Sequence, residues 1–410
     1  MEIGYYPGCS GAGSGVEYKL STLKTAEMFG IKLQELKDWN CCGATSAHNT
    51  NKLLSLALPA RNLAIMEQMN LDTLLAPCAA CYNRHRAVEI EAREDEATRQ
   101  NIQAAIGMDF SARSTTVSVL EWLVRDVGLE ALKTKVNKPL KGMKAACYYG
   151  CLLVRPVAHT GFDDAEDPQS MDQIMTALGA AVVDWPYKTE CCGAALATSR
   201  PDIGSRMIYE VIQNAKEAGA ECIITACPLC MLNLDMRQAK VEKTLGVKFD
   251  MPVYYITEMV ALAGGYSPEE IGVPRHFVEA LGYLNSLPEK AAALAAQEEA
   301  QKPKKAVKKA ESGNAAKTES GAPAAPDEID QVDEKALQKK IEAMLKGIQK
   351  NPDKIAARMT EDPERAKVLA ELMADDKKSL KIAELLVTDK DKAAKVAEAF
   401  VTGELKKREK

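Results

Sequence analysis

The 410-residue sequence contains few aromatic residues and no long apolar run. Phenylalanine, tryptophan and tyrosine together make up 5% of the chain. The most apolar stretch, residues 53–66, is interrupted by Pro59 and Arg61, whereas a helix that crosses a bilayer needs about 20 consecutive apolar residues. The sequence therefore predicts no membrane span.

Several sequence signals are also missing. The N-terminal residues lack the basic region and apolar core of a signal peptide, so we expect a cytoplasmic protein. The formal net charge of −5 gives no electrostatic basis for binding nucleic acid. We find no glycine-rich dinucleotide fingerprint, and we therefore expect neither flavin nor NAD in this chain. The ferredoxin run C-x2-C-x2-C-x3-C-P is missing too, so the chain lacks an iron–sulfur relay of that type.

Cysteine is absent from the last 180 residues, because all twelve cysteines lie between Cys9 and Cys230. In a reducing compartment, cysteines in such number are more often metal ligands or redox groups than disulfides. The metal or redox chemistry of the chain is thus expected in its first 230 residues.

Ten of the cysteines form two sets of five in the same order, which indicates an internal duplication. Each set has a single cysteine after a tyrosine-rich run, then a Cys-Cys-Gly-Ala motif, then a CxxC motif. The first set is Cys9, Cys41, Cys42, Cys78 and Cys81, and the second is Cys151, Cys191, Cys192, Cys227 and Cys230. The offset between the sets grows from 142 to 150 residues, which a longer loop at residues 155–169 explains.

Short apolar runs alternate with helical patterns in both copies, which favours an α/β fold with mostly parallel sheets. Each cysteine motif follows such a run, and ligands in open α/β sheets collect at the edge where the strands end. The sequence predicts two similar domains, at residues 1–143 and 144–285. The composition of residues 286–333 predicts a flexible linker, and the helical periodicity of residues 334–410 predicts a helical C-terminal extension, either a small bundle or a solvated tail.

Five converging thiolates exceed the four ligands that zinc or an ordinary cubane cluster needs, which suggests a larger or irregular iron–sulfur assembly. A structural zinc site stays open as an alternative. Cys147 and Cys222 have no cysteine at the matching repeat positions, so we expect both in the apolar core. Histidines at 48 and 159 are candidate proton donors near the motifs, and the basic residues that could hold an anionic thiol cofactor are Arg84, Arg86, Arg155 and Arg200.

The spacings C-x31-CC-x35-CxxC and C-x39-CC-x34-CxxC, with a glycine after each double cysteine, resemble the CCG domain of heterodisulfide reductase, and residues 1–283 resemble the B subunit of that complex. The resemblance implies two CCG domains, each holding one noncubane [4Fe-4S] cluster through its five cysteines, with a disulfide substrate between the clusters. It also implies two partners: a ferredoxin-type protein with cubane [4Fe-4S] clusters, like the C subunit of the complex, and a flavoprotein like its A subunit. The C-terminal quarter of the chain lies outside the resemblance.

Two functions follow as hypotheses from this resemblance. In the first, the chain is the catalytic subunit of a heterodisulfide reductase-like complex, which reduces a small disulfide or oxidises the thiols in reverse. In the second, it is an electron-transfer subunit of another anaerobic oxidoreductase, since CCG domains also occur in lactate, glycerol-phosphate and succinate or fumarate oxidoreductases.

Overall fold

The computed structural model describes residues 2–44 and 46–301, and beyond them residues 362–373 and scattered positions between 341 and 404. The chain divides into two compact units, residues 1–305 and 306–410. The first unit contains both cysteine sets, and the second contains the described part of the helical extension.

The first half of the first unit is built on a four-stranded parallel sheet in the order β2-β1-β3-β4. The inner strands are almost fully buried, as expected for a parallel sheet covered by helices. Its strands are β1 (Glu2–Tyr5), β2 (Lys32–Glu35), β3 (Thr73–Leu75) and β4 (Thr115–Val117).

The second half repeats this sheet in the equivalent order β6-β5-β7-β8, again with all strands parallel. Its strands are β5 (Lys144–Tyr148), β6 (Ala181–Val182), β7 (Cys222–Thr225) and β8 (Val253–Tyr255). The α/β fold with two related parallel sheets, predicted from the repeated motifs, is confirmed.

Helices follow the strands in both halves. In the first half they are α1 (Gly8–Gly11), α2 (Val16–Met28), α3 (Ala47–Thr50), α4 (Lys52–Gln68), α5 (Ala79–Glu94), α6 (Glu96–Ile106), α7 (Val119–Glu121), a π-helical turn (Trp122–Val127) and α8 (Leu129–Thr134). In the second half they are α9 (Val157–Thr160), α10 (Ser170–Ala177), α11 (Leu196–Ser199), α12 (Pro201–Glu217), α13 (Pro228–Met231), a π-helical turn (Leu232–Met236), α14 (Gln238–Leu245), α15 (Ile256–Gly264) and a 3-10 turn (Val273–Arg275). Within the described residues, no helix is both long and apolar enough to cross a bilayer.

The two halves share one continuous apolar core. Helix α2 of the first half packs along α15 of the second. The hydroxyls of Ser21 and Thr257 lie 2.7 Å apart in this contact, and the Thr25 hydroxyl donates to the Thr257 carbonyl. The halves are therefore fixed against each other by packing and by buried hydrogen bonds.

The segment expected as a linker begins inside a helix. Helix α16 spans Leu281–Gln301 and buries Leu287, and Lys290 forms an ion pair with Glu221. The remainder of that segment, residues 302–333, lies outside the described residues. In the second unit, α17 (Pro363–Leu372) contributes Val368, Leu369 and Leu372 to a buried apolar cluster. The bounds of the four predicted segments stay predictions.

Candidate functional site

All ten motif cysteines follow the carboxyl ends of parallel strands. Cys9 and Cys151 come after β1 and β5, the double cysteines come after β2 and β6, and the CxxC motifs come directly after β3 and β7. Because these ends lie at one edge of each sheet, three separate stretches of each half bring their thiols to the same place.

In the first half, four thiols form a connected group. The Cys42 and Cys81 sulfurs are 3.2 Å apart. The Cys42 thiol lies close enough to Cys41 to raise its pKa, and Cys42 and Cys78 together raise the pKa of Cys81. Cys9 lies at the exposed edge beside Cys41, close enough for their charges to interact.

The second half shows the same connections. The Cys192 and Cys230 sulfurs are 3.7 Å apart, and Cys227 contacts Cys230. Cys151 contacts Cys191, and this hydrogen bond lowers the pKa of Cys191 to about 6. Within each half, the thiols of the double cysteine and of the CxxC motif therefore lie together, and the binding of a cluster by the five cysteines of each set stays a prediction.

The two sets also touch each other. Cys78, the first cysteine of one CxxC motif, lies close enough to Cys227, the first cysteine of the other, for the Cys227 thiol to raise the pKa of Cys78. Both side chains are buried. The two cysteine sets therefore approach each other at their CxxC motifs, at the boundary between the halves.

Backbone N–H groups point at several of these sulfurs. The N–H of Gly43 lies 3.5 Å from the Cys41 sulfur, and that of Gly193 lies 3.4 Å from the Cys191 sulfur. Both glycines have positive φ, +74° and +88°, a conformation that bends the chain after each double cysteine. Such donors stabilise the thiolate relative to the thiol, and the thiolate is the form that binds a metal.

Two other glycines leave space beside the sulfurs. A Cβ on Gly8 would lie 3.4 Å from the Cys81 sulfur, and a Cβ on Gly150 would lie 3.1 Å from the Cys230 sulfur. Free thiols, backbone donors and space without side chains fit an iron–sulfur cluster in each half. Within the described part of the chain, no three His, Cys, Asp or Glu side chains converge on the point that one metal ion would occupy, and the thiol contacts are pairwise.

Burial divides each set into an inner and an outer part. The double cysteine's second member and both CxxC cysteines are buried in each half, whereas Cys9 and Cys41 are exposed and Cys151 and Cys191 are half-buried. The outer thiols therefore face solvent, and the inner thiols face the core and the other set.

Tyrosine hydroxyls hold the backbone before the cysteine motifs. The Tyr6 hydroxyl donates to the Asn40 carbonyl at 2.8 Å, and the Tyr148 hydroxyl donates to the Glu190 carbonyl at 2.6 Å, each just before a double cysteine. The Tyr18 hydroxyl lies near the carbonyls that precede both CxxC motifs. Sequence reasoning assigned these tyrosines no role, although Tyr6 and Tyr148 are equivalent in the repeat.

Amide side chains support the two sets differently. The Asn233 amide donates to the Cys192 carbonyl at 3.0 Å and lies 3.5 Å from the Cys192 sulfur. In the first half, Asn62 bonds the backbone of Asn40, and the buried His85 lies 2.8 Å from the Cys81 carbonyl through Nδ1. Neither asparagine stood out in the sequence, because neither has an asparagine at the matching repeat position.

Cys147 and Cys222 are fully buried in β5 and β7, which confirms the prediction that they are core residues. His159 has a buried Nδ1 that finds no partner in the described part of the chain, and burial lowers the pKa of this histidine. The side chain of His48 lies outside the described residues. The four candidate basic residues all bond protein groups: Arg84 bonds Asn83, Arg86 bonds Glu89 and the His159 carbonyl, Arg155 bonds Glu166 and Thr189, and Arg200 bonds Asp202.

Known proteins share both the motifs and the length of the first unit. Residues 3–84 and 145–235 each match the CCG cysteine-rich domain. The chain is 35% identical over 280 residues to the 8-methylmenaquinol:fumarate reductase membrane anchor subunit of Wolinella succinogenes, which covers 68% of this chain and 98% of that protein. It is 31% identical over 266 residues to the B subunit of the ferredoxin:CoB-CoM heterodisulfide reductase of Methanosarcina mazei, which covers 63% of this chain and 88% of that protein.

A solved structure shares the fold at low sequence identity. The crystal structure of a hypothetical protein from Helicobacter pylori superposes with a TM-score of 0.57 at 13% identity, over 68% of this chain and 52% of that one. The sequence matches, together with two gathered sets of five cysteines, show that the chain belongs to the cysteine-rich CCG family, which includes the heterodisulfide reductase B subunit, and that it is part of an iron–sulfur oxidoreductase.

Proposed function

We propose that the ten motif cysteines hold two noncubane [4Fe-4S] clusters, and that the chain reduces a small disulfide, or oxidises the corresponding thiols, at the place where the two sites meet. The observation that carries this proposal is that the two CxxC motifs meet: the Tyr18 hydroxyl lies 3.2 Å from the Pro77 carbonyl and 3.0 Å from the Ala226 carbonyl, directly before Cys78 and Cys227. Two sites side by side suit a reaction that needs two electrons at one bond.

A disulfide accepts two electrons when it is split into two thiols, and the clusters that the two cysteine sets would hold would supply one electron each. The chain's own residues then have three tasks. The cysteines would bind the two clusters, and the tyrosine hydroxyls orient the turns that carry the cysteines. The buried inner thiols keep water away from the place where the two sets meet. The exposed outer thiols leave an open side from which a substrate or a partner can approach.

The electron donors proposed for this chain are separate proteins of one complex. A ferredoxin-type protein with cubane [4Fe-4S] clusters would pass electrons to this chain, and a flavoprotein would supply them. The proposal follows from the missing ferredoxin run and from the family, whose members include components of larger reductases. The cytoplasmic location expected from the sequence stays a prediction.

A second function is supported by a specific match. The fumarate reductase subunit from Wolinella succinogenes is aligned over 98% of its length at 35% identity, which is a longer and more similar alignment than that of the Methanosarcina mazei protein. In this alternative, the same two clusters carry electrons between a quinol and a fumarate-reducing partner, and no disulfide is bound.

Cluster binding is tested on the anaerobically purified full chain, which should contain about eight iron atoms if both clusters are present. Cys41→Ala should lose about half of this iron, because one set loses a ligand. The matched control is Cys147→Ala, which removes a buried cysteine that belongs to neither set. Zinc in place of iron, or full iron in Cys41→Ala, would contradict the proposal.

The two functions are separated by the complex that the chain forms. Co-purification from the source cell should identify the partner proteins, and the purified complex should be assayed for reduction of the CoB-CoM heterodisulfide and for fumarate reduction by a menaquinol analogue. Disulfide reduction supports the first function, whereas quinol-dependent fumarate reduction without it supports the second.

A further inference from the structure

The buried Tyr18 links the two cysteine sets through a single hydroxyl. Its oxygen lies 3.2 Å from the Pro77 carbonyl and 3.0 Å from the Ala226 carbonyl. These carbonyls belong to the residues directly before Cys78 and Cys227. One phenolic hydrogen is thus shared between the backbones that begin the two CxxC motifs, 149 residues apart in sequence.

A second tyrosine, from the other half, holds the first in place. The Tyr255 ring stacks on the Tyr18 ring with centroids 4.0 Å apart and planes inclined by 4°. Tyr18 lies in the first turn of α2 and Tyr255 immediately before α15, the two helices that pack across the boundary between the halves. Both rings are buried, so the stack is a fixed part of that boundary.

The surrounding backbone leaves little room for the stack to move. A Cβ on Gly15 would lie 3.4 Å from the Tyr255 hydroxyl and 3.6 Å from Pro228. The Tyr255 hydroxyl is buried and has no hydrogen-bond partner among the described residues. Its ring therefore contributes by packing, and the hydrogen bonds to the two cysteine turns come from Tyr18.

We propose that Tyr18, clamped by Tyr255, is a positioning residue that fixes the spacing of the two CxxC turns and thereby couples the two clusters electronically. The proposal rests on the cluster assignment made above. Without the Tyr18 hydroxyl, each CxxC turn keeps the strand before it and the helix after it. Both turns lose the one hydrogen-bond donor that they share. The separation of the two sites would then vary, although each site keeps all five cysteines.

The test is Tyr18→Phe in the anaerobically purified full chain, compared with Tyr254→Phe. Tyr254 is also buried and donates its hydroxyl to a backbone carbonyl, that of Ala280, away from the cysteine turns. Iron content is measured first, and the reduced proteins are then examined by electron paramagnetic resonance for the magnetic interaction between the clusters. We expect unchanged iron in both variants, and loss or narrowing of the interaction splitting only in Tyr18→Phe.

An unchanged splitting in Tyr18→Phe, an equal loss in Tyr254→Phe, or no splitting in the parent protein would overturn the proposal. If Tyr18→Phe loses iron, Tyr255→Leu carries the same test, because it keeps the hydroxyl and removes the stacked ring. Iron loss in both Tyr18→Phe and Tyr255→Leu would give the two tyrosines a purely structural role, and this result would also overturn the proposal. A parent protein without iron contradicts the proposed function itself, which keeps the two failures distinguishable.

Discussion

The two halves of the first unit hold their cysteines in the same way but surround them with different side chains. Both use a tyrosine hydroxyl before the double cysteine and a glycine with positive φ after it. The first half, however, bonds the CxxC backbone with His85, whereas the second aims the Asn233 amide at a cysteine sulfur. Hydrogen bonds to sulfur and burial tune the potential of an iron–sulfur cluster. Two clusters in these settings should differ in potential.

The loop at residues 155–169 accounts for a second difference between the halves. Its helix α9 packs on α5, which follows the first CxxC motif. The Tyr82 hydroxyl donates to the Thr160 carbonyl, and the Asn83 amide donates to the Arg155 carbonyl. The loop of the second half thus packs against α5, the helix that follows the first CxxC motif, and hydrogen-bonds to it. Cys151, just before this loop, is less exposed than Cys9.

The largest expected difference between the halves concerns the glycines after the double cysteines. A Cβ on Gly43 would lie 2.7 Å from both the Ala47 Cβ and a Leu58 methyl, whereas the nearest atom for Gly193 is the Gly204 Cα at 3.3 Å. An L-residue at positive φ costs about 1–2 kcal/mol in either half, and overpacking adds about 1–3 kcal/mol in the first. Gly43→Ala should therefore destabilise the protein by about 3 kcal/mol, and Gly193→Ala by about 1 kcal/mol.

Urea denaturation measures the unfolding free energy of both variants, and iron analysis shows which cluster is lost. We expect Gly43→Ala to lose the first cluster and Gly193→Ala to retain both. Equal losses of unfolding free energy in the two variants would mean that α3 and α4 shift to accommodate the new methyl group as readily as α11 and α12 do. The two halves would then not differ at this position.

A smaller difference between the halves, in stability and in reduction potential, is expected at a pair of equivalent positions after the CxxC motifs. Asn233 and Arg84 are related by the offset of 149 residues that also relates Cys230 to Cys81. Asn233→Ala removes the amide donor to Cys192 and leaves a buried carbonyl unpaired, at a cost of about 1–3 kcal/mol. The lost N–H···S contact should also lower the reduction potential of the second cluster, because that donor favours the more negative, reduced state.

The control is Arg84→Ala, since the Arg84 guanidinium bonds the Asn83 side chain and no cysteine. A redox titration followed by electron paramagnetic resonance should show one potential moved in Asn233→Ala and neither moved in Arg84→Ala. A shift of both potentials in Asn233→Ala would argue that the amide acts through the contact between the sets.

The fold and the two cysteine groups were predictable because both copies carry the same signals. Apolar runs predicted β1 to β8 within a few residues, six of them before the cysteine motifs and two after the CxxC motifs. The matched spacings predicted which cysteines belong to one set, and the binding of a cluster by each set stays a prediction. Both follow from local patterns that occur twice in one chain.

The contacts between the halves were not predictable in the same way. The Tyr18 hydroxyl meets the Ala226 carbonyl across 208 residues, and Cys78 meets Cys227. Nothing in the local sequence of α2 distinguishes this tyrosine from an ordinary core residue. The helix α16 was missed for a related reason, since its polar, alanine-rich composition predicts a linker until packing against the second half buries Leu287.

The smallest expected effect comes from a charged residue that is neutral in the other half. Glu89 and Gln238 are related by the same offset of 149 residues, and both are buried and accept a backbone N–H, from Thr116 and Met251. Burial raises the pKa of Glu89 despite its ion pair with Arg86. Above the ordinary carboxyl pKa, the folded protein therefore holds a proton that the unfolded chain releases, and stability falls as pH rises through that window.

Glu89→Gln copies the neutral side chain of the second half and should flatten this part of the pH profile, with a change of about 1 kcal/mol or less at neutral pH. Burial also raises the pKa values of Glu17, Glu121 and Asp235, so the relevant quantity is the difference between the variant's and the parent's unfolding free energies across pH. This difference should grow in the variant's favour as pH rises above the ordinary carboxyl pKa. A difference that is constant with pH would mean that Arg86 keeps Glu89 ionised, and that the first half tolerates a buried charge where the second uses an amide.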